Sequence, residues 1–389
     1  MNTRVRIMTC LALALAITFT LGTSTAITAT ACDPTFVIQQ ANVFTVLPTG
    51  TDDTVNLQCA FDAAVAAGPG ANVRLVAGAY HTAQIVVFDF YGHFSGAGAN
   101  ETTIYNLPHL YVVADFLNPP SAENPWPELF YFFDGDFSIS NLAIRIIGEE
   151  PVQEWSISGM SLNELAAAIL ISGTEAYAEI DHVLIEGEIK PASLLGYNLL
   201  NGIMYEGWAE WLGNPPISGS YRLTDSTFLT VGWASPIINL ANASVVISRN
   251  NYKNTFIATD GGDFVSSTIE YSHNDIDGGL MGLEFWNGDP STDTDSTFLV
   301  KNNRFRTDLA GIALEQTLGE GNDCLILGNN VQQVGEYGVY LGEGIHHCTV
   351  VGGSNKTNVL DLGTDNILVG VNNMGTGVGH TIGGILRVR

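Results

Sequence analysis

From Val245 to Asn373 the chain repeats one short phrase: an apolar pair or triple, a polar residue, then an Asn at a turn. The clearest copies are Val245-Val246-Ile247-Ser248-Arg249-Asn250-Asn251, Ile269-Glu270-Tyr271-Ser272-His273-Asn274, Phe298-Leu299-Val300-Lys301-Asn302-Asn303 and Leu325-Ile326-Leu327-Gly328-Asn329-Asn330. Weaker copies end at Asn355 and Asn373. With Asn251, Asn274, Asn303, Asn330, Asn355 and Asn373 as markers, the steps are 23, 29, 27, 25 and 18 residues. Self-similarity on this scale signals a solenoid, and β-branched strands with Asn and Gly turns make it a β-solenoid. Asn suits the turn because it tolerates the left-handed conformation and bonds its own backbone. The pattern predicts an all-β chain wound as a parallel β-helix.

The N-terminus reads as a targeting signal. Arg4 and Arg6 precede an apolar run from Ile7 to Leu21, and Ala29-Thr30-Ala31 offers a small-x-small cleavage site before Cys32. Residues 1–31 are therefore expected to leave, and 32–389 to form a single elongated domain, since solenoid coils touch only their neighbours. A Cys directly after the cleavage site also raises lipid anchoring at Cys32. Ala29 stands three positions before it, where lipoproteins usually carry Leu, so cleavage without lipidation is the favoured reading. No later stretch is apolar for long enough to span a bilayer.

Of the remaining cysteines, Cys324 and Cys348 occupy the same place in successive copies. Adjacent strands lie about 4.8 Å apart, and disulfides accept Cα separations of roughly 4.4–6.8 Å. A staple between rungs is expected, with Cys32–Cys59 tying down the mature N-terminus. The formal charge is −26, from 14 basic and 40 acidic residues. That argues against nucleic acid as a partner and against a polyanionic glycan gripped by Lys and Arg alone. An anionic substrate would need bound cations such as Ca²⁺.

A helix is expected behind Asp52-Asp53-Thr54, with apolar residues at Val55, Leu57, Phe61, Ala64 and Val65, stopped by Gly68-Pro69-Gly70. Gly50-Thr51-Asp52-Asp53-Thr54, this helix, Val73 to Tyr80, and Phe94-Ser95-Gly96-Ala97-Gly98 with Thr102-Thr103-Ile104 resemble the entry of the pectate-lyase-like right-handed β-helix superfamily. The resemblance covers about residues 48–105 and implies a short helix capping the solenoid. It implies little about activity, since the fold carries lyases, hydrolases, epimerases, esterases and inert fibres. Proline- and aromatic-rich stretches at about 105–134 and 187–219 read as excursions over the flank.

Each copy has a second strand downstream of its Asn turn. Alternation along these strands points Met204, Glu206, Glu284, Trp286, Ala313, Glu315 and Tyr340 outward, with Asp260 and Glu343 at strand ends, one step out of register. The expected result is a column of carboxylates among aromatics, edged by Trp208 and Trp233. Neighbouring rungs place such acids about 5 Å apart and alternate rungs about 10 Å, straddling the separations used by retaining and inverting glycosidases. The plainer account is that outward Glu on an acidic solenoid is merely solvated. Thr259-Asp260-Gly261-Gly262-Asp263 resembles the Asn-Thr-Asp-Gly-x-Asp segment of polygalacturonases, whose aspartates act in hydrolysis. Here Ala258 replaces the Asn, and the Gly-His-Gly and Arg-x-Lys elements are missing. Asp260, Asp263, Glu284 and Glu315 are the catalytic candidates, and Glu206, Trp208, Trp233, Trp286, Tyr340, Arg304 and Arg306 the binding candidates.

A lyase would instead need a basic residue, for which the group from Lys301 to Arg306 is the densest source, and Ca²⁺ to neutralise a uronate. The chain thus reads as a secreted enzyme acting on an extended polysaccharide, by hydrolysis or elimination. A non-catalytic glycan-binding, adhesive or structural surface protein is the alternative.

Overall fold

The computed structural model describes residues 32–107, 128–146, 155–157, 160–162, 165–189, 197–207, 216–286, 296–315, 323–332, 335–353, 357–374, 379–382 and 385–388. All belong to one compact unit, Ala31–Arg389. Residues 1–31, read above as a targeting signal, lie outside the described residues.

The chain winds as a parallel β-helix whose coils each lay strands on three faces. One middle coil runs Ile257–Val265, Thr268–Ser272 and Asp275–Asp277, and the next begins with Met281–Trp286. Each strand pairs in parallel with its counterpart one coil on: Ile257 with Met281, Thr268 with Thr297, Asp275 with Arg304. In the early coils one long strand rounds the corner between the first two faces, as in Ile85–Ser95, Glu128–Arg145 and Leu165–Glu186. The core is the interior of the coil. Its second-face row runs Ile247, Tyr271, Val300, Ile326, Val350 and Leu368, all buried register partners. Burying one such side chain is worth about 1.5–3 kcal/mol, so stability accumulates coil by coil. No described helix is long and apolar enough to cross a membrane.

The Asn turns are built differently from the expectation. The left-handed residue is the one before the conserved-position Asn of the repeat: Arg249 (φ 60), His273 (φ 58), Asn302 (φ 56) and Gly328 (φ 64). The following Asn250, Asn274, Asn303 and Asn329 point inward and are buried. The side-chain carbonyls of Asn274, Asn303 and Asn329 each accept from the backbone N–H and the amide of the Asn one coil earlier, at 2.8–3.2 Å, and that of Asn250 accepts from the Ser226 N–H at 2.9 Å. Each Nδ2 also donates to a strand carbonyl, that of Leu223, Ile247, Tyr271 and Val300 in turn. Asn is chosen because one short side chain supplies both an acceptor and two donors.

Thr54–Ala67 forms the expected helix. It covers the open end of the core with Leu57, Ala60, Phe61 and Ala64, the Phe61 ring lying 5.0–6.5 Å from Phe90, Phe94, Phe130 and Phe132. Asp53 makes no side-chain cap. Its buried carboxylate instead accepts from Thr49 N–H (2.7 Å) and His81 N–H (2.9 Å), tying the entry loop to the sheet.

Both disulfides are present. Cys324 and Cys348 are register partners with Cα atoms 4.4 Å apart, and Cys32–Cys59 spans 5.6 Å. The second bond engages the thiol that lipid attachment at Cys32 would require. Parts of both stretches expected to be excursions are strand instead. Pro108 to Pro127 lies outside the described residues, but the aromatic run after it is the buried strand Glu128–Arg145. Likewise 187–219 contains the ordinary coil strand Leu199–Glu206, which leaves 190–196 and 208–215 as the parts outside the described residues.

Candidate active site on the first face

The carboxylates converge on the outer side of the first face. Asp260 is not at a strand end. It lies inside Ile257–Val265 as the direct register partner of Glu284, which pairs in turn with Ala313, and Ala313 with Tyr340. Two residues along, a second row runs Glu206, Ile238, Gly262 and Trp286. Glu315 continues it, its N–H bonded to the Phe285 carbonyl at 2.8 Å. Glu206, Asp260, Glu284 and Glu315 are all half-buried, whereas Glu343 sits exposed in a turn.

Ala313 points outward as expected yet is buried, because this face carries an apolar strip of its own. Ile257, Met281, Ala310 and Ala313 form a cluster separate from the main core, with Trp233, Phe256, Leu280, Leu309 and Tyr340 packed against it. Bridge and strand register string Trp233, Ile257, Met281, Ala310 and Tyr337 into a ladder. The strip borders the acids, so Trp233 and Tyr340 flank them from an apolar floor.

Trp286 has a more specific place than a sugar platform. Its indole N–H donates to the Asp260 carboxylate at 2.8 Å. The ring lies over Gly262, where a Cβ would meet it at 2.5 Å, so only glycine allows this approach.

Burial dominates the electrostatics. It pushes Glu206 up to about 8, with the Asp260 charge adding to the effect. It pushes Glu284 up to about 7, with Asp260 and Glu315 as like-charged neighbours. Asp260 rises to about 6, because desolvation and Glu315 outweigh the hydrogen bonds from Trp286 and the Gly261 N–H that favour its ionised form. Removing the indole donor should therefore raise it further. In Trp286→Phe the Asp260 carboxyl is expected to titrate above pH 6, which carbon-13 carboxyl NMR can read; an unchanged or lower midpoint contradicts the assignment.

All three acids bind protons more tightly folded than unfolded, so their contribution to stability is present at low pH and lost as pH rises through about 6, 7 and 8. The melting temperature should fall from pH 5 to pH 8.5 by roughly 3–5 °C. Glu206→Gln should flatten that slope. A rising profile in differential scanning calorimetry contradicts it.

Sequence reasoning missed Glu128. It opens the strand after Pro127, inside the stretch read as an excursion. Its side chain is fully buried, neither carboxylate oxygen meets a side-chain partner among the described residues, and burial with the Glu206 charge pushes it well above the ordinary range. Nothing in the local sequence marked it.

Other candidates lie elsewhere. Asp263 is a corner residue with φ 56, matching Asn239 (φ 54) one coil earlier. Arg304 and Arg306 sit on the third face, ion-paired with Asp275 and Asp277, and Lys301 pairs with Glu270 on the second. The structure thus separates these cations from the acid rows. Trp208 lies outside the described residues. Among the described residues, the one trio of potential metal ligands within mutual reach is Asp181, His182 and Asp225. It stands away from the acid rows, and Arg249 already grips Asp225 with Nε at 2.9 and 3.1 Å.

No family model matches the sequence, and no curated protein matches it. Among solved structures, it is similar to the A-module of a mannuronan C-5 epimerase from Azotobacter vinelandii, at 15% identity over 86% of this chain and 93% of that one, TM-score 0.41. It is similar to the enzymatically active domain of tailspike protein 2 of bacteriophage CBA120, at 10% identity over 84% of this chain and 41% of that one, TM-score 0.42. A surface adhesin of Streptococcus pneumoniae matches at 13% identity over 88% and 96%, TM-score 0.39.

Proposed function

We propose that the first face is the active site of a glycoside hydrolase that works outside the cytoplasm on an uncharged polysaccharide. The observation that carries this reading is the pairing of Asp260 and Glu284. They are register partners about one strand spacing (about 4.8 Å) apart, and their environments hold one carboxyl at about 6 and the other at about 7. Two like charges on neighbouring rungs disfavour ionising together, so the pair holds one proton between them near neutral pH. That division is what glycosidic cleavage needs.

Glu284 protonates the glycosidic oxygen as the bond to the leaving sugar breaks. Asp260, oriented by the Trp286 N–H, attacks the anomeric carbon. Glu284, now ionised, takes a proton from the water that releases the sugar from Asp260. The short separation favours retention of configuration. The apolar strip from Trp233 to Tyr340 suits the carbon-hydrogen faces of sugar rings. A net charge of −26 favours an uncharged chain over a polyuronate. Two disulfides fit an oxidising compartment.

The test is a screen of glucans, xylans and mannans for new reducing ends, with the first-formed anomer read by proton NMR. A retained anomer supports the Asp260–Glu284 pair. An inverted one shifts the partnership to Glu284 and Glu315, which lie diagonally about 8 Å apart. Unsaturated products from polyuronates overturn hydrolysis, and binding without cleavage of any glycan returns the chain to a non-catalytic role.

A further inference from the structure

A second carbohydrate-type surface lies around the corner, on the second face near the capping helix. Here Tyr91, Asp136 and Tyr177 are register partners on three successive coils. His93, Ser138 and Glu179 form the parallel row two residues along. Together with Pro69 and Gly70 at the end of the helix, Tyr91, His93, Asp136, Ser138 and Glu179 line a cleft of about 270 Å³, and Tyr177 stands beside it as the register partner of Asp136 on the next rung. Tyr91 and Tyr177 are 44% and 41% exposed, the two large aromatics standing out as exposed among the described residues. The Tyr177 hydroxyl donates to Glu175 at 2.7 Å, and the His93 ring is held by the Ser138 hydroxyl at 2.8 Å, so the polar groups around the cleft are fixed in place.

We infer that this cleft is a second, non-catalytic binding site for an uncharged glycan. Two rungs separate the tyrosines, which sets the rings about 10 Å apart, enough to stack against two sugar faces with Asp136 between them to accept from hydroxyls. Asp136, Glu175 and Glu179 repel an anionic chain, so the ligand class is neutral. The cleft's carboxylates, Asp136 and Glu179, are open to water, which is why binding rather than chemistry is assigned to it. Tyr177 lies three coils before Asp260, about 15 Å along the axis. A long chain held at the cleft would raise the local concentration of substrate at the acids. The choice of a glycan rests on the reading proposed for the first face; the existence of the site rests on the cleft itself.

The experiment uses Glu284→Gln protein, so that bound chains persist, and isothermal titration with uncharged gluco-, xylo- and manno-hexasaccharides. Tyr91→Ala with Tyr177→Ala in that background should weaken binding of the recognised hexasaccharide at least fivefold or abolish one of two binding events. Tyr91→Phe, which keeps the ring, should stay within about twofold. Both tyrosines are exposed, and circular dichroism of each variant confirms the fold. Unchanged binding in the double Ala variant, or no hexasaccharide bound at all, overturns the cleft. Loss of binding in that variant from a protein that cleaves nothing sustains the cleft and refutes only the hydrolase.

Discussion

Glu284→Gln should lower turnover of the recognised polysaccharide by ~10³-fold, within the range spanned by general acid catalysis, while leaving the fold intact. Gln keeps the shape of Glu284 and removes a proton donor that burial and two neighbouring acids hold at about 7. It also relieves like-charge repulsion, so the melting temperature should hold or rise. In the parent protein, activity should climb as Asp260 ionises around pH 6 and fall as Glu284 loses its proton around pH 7. A narrow bell between these limbs is the expected profile, and Glu284→Gln should erase the alkaline limb along with the rate. Full activity in the Gln variant, or a profile flat from pH 5 to 9, would remove Glu284 from the chemistry.

Asn303→Ala should give the largest loss of stability of any single change in the coils. The side chain accepts from the Asn274 N–H (2.8 Å) and Nδ2 (3.1 Å) and donates to the Tyr271 carbonyl (2.9 Å) and Asn329 Oδ1 (3.0 Å), all away from water. Truncation strands those partners, and each buried polar group left unpaired costs about 1–3 kcal/mol. A melting point lower by ~5–10 °C follows. Because coils interact only with neighbours, a break in the middle should also broaden or split the transition. Lys253→Ala, at an exposed position on the third face, is the control. A shift under 1 °C for Asn303→Ala would mean the amide ladder contributes nothing.

The coil register was readable because it is periodic: Cys324 and Cys348 fall at one place in successive phrases, and pairing follows from strand spacing alone. Outward positions were readable where the alternation is regular, as at Glu284, Trp286 and Glu206. It failed one turn earlier, where outward residues recur at a spacing of three, as Ile257 and Asp260, Met281 and Glu284, or Ala310 and Ala313. Between them two successive residues face inward. Gly282 shows why the backbone can do this, since a Cβ there would meet the Phe305 ring at 2.3 Å. Counting by two from Glu284 therefore could not find the apolar strip. Asp260 was misplaced at a strand end for a related reason: Gly261 and Gly262 interrupt the apolar pattern, yet they are strand residues kept small by the Trp286 ring and the interior. Glu128 was invisible because its burial is a property of what packs over it, which no local pattern encodes.

The spacing of the coils is set by the backbone hydrogen bonds between their parallel strands. Exchanging Glu for Ala or Trp for Gly at one rung therefore changes what is presented without changing where. The first face behaves as a pegboard with holes about 4.8 Å apart. A chain of repeating units can be gripped, cut or ignored along it, depending only on which pegs are fitted. Duplicating one coil would lengthen the board by a single interval and leave every other peg in place.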